Sequence, residues 1–90
     1  MISSEMKIKL EAGIESLLYP SDNPAVNEER ANYLKRCYSE ALGKGATPYE
    51  LADYVESYLK NKHPYSSRAG SEKAQRILRM VIDDNRSDGR

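Results

Sequence analysis

The feature that most constrains this chain is the stretch GKGATPYELADYVESYL, residues 43–59, in which a helix stop and a helix start lie back to back. Gly43, Lys44 and Gly45 end one apolar helical pattern. Thr47 then takes the N-cap position, Pro48 the first helical position, and Glu50, three residues after the cap, completes a capping box. Ala46 and Leu51 stand where a weak hydrophobic staple would sit. Such punctuation implies helices joined by short turns.

The rest of the chain follows the same period. Met6, Leu10, Ile14, Leu17 and Leu18 recur at helical spacing, which predicts a first helix from about Ser4 to Tyr19, ended by Pro20. Gly13 inside it is read as either a tolerated weak spot or a close helix crossing. Pro24 suits a first helical position and opens a second helix to about Leu42, with Leu34, Cys37, Tyr38, Ala41 and Leu42 on one face. The third helix runs from the capping box to Lys60, Lys62 and His63, residue types suited to the negative pole of the helix dipole, before Pro64. A fourth carries Ala74, Ile77, Leu78, Val81 and Ile82 as a stripe. Gly70 leaves open whether it starts near Ser67 or Ser71. Residues 85–90, NRSDGR, contain no apolar group. The expected architecture is all-α, a small compact bundle of about four helices over residues 1–84, with a disordered C-terminal tail over 85–90.

Ninety residues bury only roughly 60–65% of their unfolded surface, so the core must be economical or shared with a partner. Phe and Trp are absent and seven tyrosines supply all the aromatic surface. A phenol keeps its tip wet while its ring packs, which suits half-buried positions and interfaces. Fourteen basic residues balance fourteen acidic ones, which argues against a surface that grips nucleic acid or anionic lipid everywhere. Interleaved charges in residues 1–18 exclude a continuous apolar membrane span there. With its single cysteine, the chain reads as soluble and cytoplasmic, with no membrane association.

The turn at Gly45 raises the question of a DNA-reading helix-turn-helix. Such a pair needs a second helix offering Arg, Lys, Asn or Gln to base edges and phosphates. Here Tyr49, Glu50, Asp53, Glu56, Ser57 and Lys60 share the outer face of the third helix, and three carboxylates there would repel phosphates. The basic side of the fourth helix, Lys73, Arg76 and Arg79 with Arg68 ahead of it, is the better nucleic-acid candidate; its plain reading is a solvated face. The acidic face of the third helix could dock on a basic surface of another protein, such as a DNA-binding one, against a plain reading of dipole-compatible solvation. Tyr54 and Tyr58 flank the apolar stripe of the third helix and Tyr33 and Tyr38 that of the second. They are read as packing within the chain, as self-association into a homo-oligomer, or as partner binding.

Catalysis is poorly provided for. One thiol, Cys37, on the apolar side of a helix, and one imidazole, His63, at a helix end, do not make a nucleophile, base and orienting group. No matched metal-ligand set exists: DDNRSDG has its glycine one position late for a calcium loop, and GKGAT lacks phosphate-loop spacing. No enzyme activity, cofactor or metal is expected. In size and helix layout the chain resembles small bacterial and phage proteins such as bacteriocin immunity proteins and phage antirepressors, a likeness of architecture that transfers no residues. The sequence therefore points to a small regulatory protein that binds another protein, with Tyr49, Glu50, Asp53, Tyr54, Glu56 and Tyr58 as the contact candidates. Its alternative is a nucleic-acid-binding transcriptional regulator using Arg68, Lys73, Arg76 and Arg79.

Overall fold

The computed structural model describes residues 1–65 and 68–88, and among these the chain forms four helices and no strand. They are α1 (Ser4–Leu18), α2 (Pro24–Gly43), α3 (Pro48–Lys62) and α4 (Arg68–Asp88). The all-α bundle expected from the periodicity is present, and among the described residues no helix is long and apolar enough to cross a membrane.

Local chemistry explains each boundary. Ser3 caps α1 by accepting from the Met6 N–H at 3.2 Å. The last turn of α1 has no basic residue, and α2 supplies one: Arg30 Nη1 donates to the carbonyls of Ser16 at 3.3 Å and Tyr19 at 3.0 Å. Asn23 caps α2 by accepting from the Ala25 N–H, and Asn27 ties the preceding loop down through both directions of its amide to Ser21. At the other end, Gly45 takes φ 102°, a conformation that costs a β-carbon but not a glycine. The Ala46 N–H then bonds the Ala41 carbonyl and the Gly45 N–H that of Leu42, the paired closure of a Schellman motif, with Ala41 and Ala46 both buried beneath it. Gly43, expected to share in the stop, is instead the last residue of α2.

The capping box of α3 is complete, with Thr47 Oγ1 accepting from the Glu50 N–H and Glu50 Oε1 from the Thr47 N–H, both at 3.0 Å. α4 starts at Arg68, settling the choice around Gly70 in favour of the earlier start; Ser67 itself lies outside the described residues. It continues to Asp88, so residues 85–88 of the expected tail belong to the helix, and residues 89–90 lie outside those described. The absence of apolar groups after Ile82 does not stop a helix already nucleated and held by the core, because each further residue adds one hydrogen bond.

Helices α1, α2 and α4 approach one another most closely, and α3 packs onto this trio through α4 and α2. The trio is brought together by glycine. A β-carbon on Gly13 would lie 3.0 Å from Leu34 Cδ1, and one on Gly70 would lie 2.7 Å from the Leu17 carbonyl oxygen and 3.0 Å from Leu18 Cα. Both mark close crossings, α1 on α2 and α4 on α1. At the centre Tyr38 has no solvent exposure, and its hydroxyl donates to the Ala74 carbonyl at 3.2 Å, linking α2 to α4. It is a core residue rather than a border of the α2 stripe. Leu10, Ile14, Leu34, Leu51 and Val55 surround this centre with no exposure, whereas Leu42 and Ile82 are only half-buried.

Candidate functional site

The outward face of α3 follows from its capping box. With Pro48 fixed as the first residue and Leu51, Val55, Tyr58 and Leu59 directed into the core, Tyr49, Asp53, Glu56, Ser57 and Lys60 face solvent. Tyr49 is 82% exposed, a large apolar ring with its body in water. Glu50, expected on the same open face, is only partly exposed. Its carboxylate is tied to the Thr47 N–H and lies 3.2 Å from the Met1 amino group. Those donors, the backbone one first, hold its carboxyl below the ordinary range. Beside it a shallow groove between the start of α1 and α3 is lined by Ile2, Lys7, Glu50, Asp53, Tyr54 and Ser57.

Tyr54 and Tyr58 turn the other way, toward α1. Tyr54 donates its hydroxyl to Glu11, and Tyr58 donates to Glu15 Oε1 at 2.5 Å. The two rings stack with centroids 6.4 Å apart, and Lys7 Nζ lies 5.7 Å over the Tyr54 ring. His63 closes the lower end of this seam. Its Nε2 lies 3.2 Å from Glu15 Oε1 and 3.1 Å from the Tyr58 hydroxyl, and its ring meets Tyr58 and Tyr19 edge-on. Since the Tyr58 proton goes to Glu15, Nε2 acts as a donor in this arrangement. Burial, followed by the carboxylate contact, pushes the ionisation of both Tyr54 and Tyr58 upward. These two tyrosines therefore hold the fold together across α1 and α3, and their polar tips are already engaged. Glu11 and Glu15 stand 43 residues away, a pairing that no local pattern signals.

The nucleic-acid candidates divide as well. Arg68, Arg76 and Arg79 are exposed, with Arg68 Nε held by Glu72 at 3.0 Å. Lys73 is half-buried and lines a crevice with Leu17, Pro20 and Gly70, so it stands apart from the three arginines. Arg86, which the expected tail had set aside, falls on the exposed side of the extended α4.

Cys37 and His63 belong to different clusters. Cys37 Sγ lies 4.0 Å from the Lys9 carbonyl, in the crossing of α1 and α2, and burial raises its thiol pKa. Among the described residues no group of three or more His, Cys, Asp or Glu side chains is placed to hold a metal ion. No protein-family model, curated protein or solved structure shows significant similarity to this chain.

Proposed function

We propose that this is a non-enzymatic cytoplasmic regulatory protein that acts by binding another protein, in the manner of an inhibitor, antirepressor or immunity partner, and works as an oligomer. The observation that carries the reading is the outer face of α3, where a tyrosine ring 82% exposed stands beside two exposed carboxylates, Asp53 and Glu56. Exposed tyrosine flanked by like charge suits an interface whose ring supplies contact area and whose charge selects a basic partner. Tyr54 and Tyr58 serve this face indirectly, by fixing α3 against α1. Light scattering of the purified protein, with capture from a native lysate, tests the proposal. A monomer that retains no protein contradicts it.

A second reading, a nucleic-acid-binding regulator, is favoured by the extension of α4, which adds Arg86 to the exposed row of Arg68, Arg76 and Arg79. It predicts duplex DNA binding that weakens steeply with salt, a slope that Arg76→Ala with Arg79→Ala flattens. No retention on DNA at low ionic strength removes it.

A further inference from the structure

The four helices are not held by equivalent interactions. α1, α2 and α4 meet at glycine crossings where backbone and side chains are in direct contact: Gly13 against Leu34, and Gly70 against the backbone of Leu17 and Leu18. The buried Tyr38 to Ala74 hydrogen bond locks α2 to α4. α3 is different on its α1 side. The backbones of α1 and α3 approach each other least of all the helix pairs. The distance is spanned by long side chains: Tyr54 to Glu11, Tyr58 to Glu15, Lys7 over the Tyr54 ring, and His63 to Glu15. The links named in that seam are hydrogen bonds, a cation–π contact and ring-edge contacts, and the polar tips that make them are groups water solvates well. Separating a phenol from a carboxylate exchanges one hydrogen bond for two to water, whereas separating a close-packed crossing forfeits its dispersion contacts outright.

From this contrast we propose that α3 is a latch helix, which opens as one cooperative unit from a standing α1–α2–α4 core, with the Tyr54–Glu11 and Tyr58–Glu15 pairs as its fasteners. The glycine turn at Gly45, in a backbone conformation that other residues rarely adopt, joins the latch to the end of α2. Opening carries Leu51, Val55 and Leu59 out of the core and moves Tyr49, Asp53 and Glu56 with them, so the position of the outward α3 face depends on the latch. Sub-global openings of this kind are drawn from elements with fewer packed contacts and a solvated boundary.

Amide hydrogen exchange on the intact chain, resolved by residue, tests the proposal. In the native protein the α3 amides between Leu51 and Leu59 exchange at least about tenfold faster than the α2 amides between Leu34 and Ala41, with a smaller dependence on denaturant. The double substitution Tyr54→Phe with Tyr58→Phe speeds exchange in α3 and in α2 alike, about a further tenfold each, because it destabilises the closed state against both the latch-open and the fully unfolded one. Tyr38→Phe, which weakens the trio equally in the closed and the latch-open state, speeds α2 and leaves α3 within about twofold. Equal protection and equal denaturant dependence in α2 and α3 overturn the latch, as does a Tyr54/Tyr58 variant that changes neither helix, or a Tyr38 variant that speeds α3 as much as α2. If either variant fails to fold, the denaturant dependence of the native chain decides alone. No binding partner is needed, so failure here leaves the partner-binding reading standing.

Discussion

Tyr58 Oη lies 2.5 Å from Glu15 Oε1, so the helix that carries the candidate contact face is joined to α1 by a phenol donating to a carboxylate. A phenolate could not donate, and it would face a second negative charge. This is why burial and the carboxylate together raise the ionisation of Tyr58 and, with Glu11, of Tyr54. Both folded values lie above the unfolded value of about 10, so the stability these groups contribute is fully present below about pH 10 and is lost as pH rises beyond it. Near-ultraviolet absorbance during an alkaline titration should show Tyr54 and Tyr58 ionising together with loss of helical circular dichroism. Tyr58→Phe should cost about 1–2 kcal/mol in urea unfolding at neutral pH.

The glycines give a graded prediction. Gly70→Ala forces a β-carbon to 2.7 Å from the Leu17 carbonyl oxygen, which backbone cannot yield, and should destabilise by about 1–3 kcal/mol despite the better helix propensity of alanine. Gly13→Ala meets only the tip of Leu34 at 3.0 Å and should be close to neutral, its propensity gain of about 0.5–1 kcal/mol offsetting the repacking. Gly43→Ala enters open space within α2 and should stabilise by about 0.4–1 kcal/mol. Urea midpoints of the three variants check the order.

Thr47→Ala removes the acceptor for the Glu50 N–H and should cost about 0.5–2 kcal/mol. Glu50 makes the reciprocal contact and has a depressed folded pKa, so its contribution is present above its unfolded value of about 4.3 and is lost as pH falls through the folded one. Thermal unfolding across acid pH should therefore show a smaller loss of stability for Glu50→Gln than for the native chain.

Cys37 sits in the α1–α2 crossing with its thiol pKa raised by burial, so a disulfide reagent at neutral pH should leave it unmodified in the native protein and label it on unfolding. Rapid labelling of the folded chain would reopen a catalytic reading.

What the sequence reveals follows the range of the interaction. The Thr47–Glu50 box, the Pro24 and Pro48 starts and the apolar stripe of α1 act within a few residues, and all are legible by spacing. Gly45 is recognisable as part of a stop, but which of two glycines turns the chain depends on the Ala46–Ala41 closure. Gly70 looked like an ambiguity at a helix start because its reason lies across the bundle, in the backbone of Leu17. The direction of Tyr54 and Tyr58 was hidden for the same cause: a stripe-flanking tyrosine can face solvent or a neighbouring helix, and only α1 placed opposite with Glu11 and Glu15 decides it. The outward set Tyr49, Asp53, Glu56 was legible because α3 begins at a fixed residue, which fixes its rotation relative to its own apolar side.

The role proposed for this outward set is recognition of a basic partner protein. The most direct measurement is quantitative affinity capture from the native host, comparing the unmodified chain with the Asp53→Lys, Glu56→Lys double variant after circular dichroism has shown both to be folded. A protein with a basic contact surface should be enriched at least about tenfold on the native chain and lost from the variant. The same proteins retained equally by both chains, or none retained by either, would contradict it.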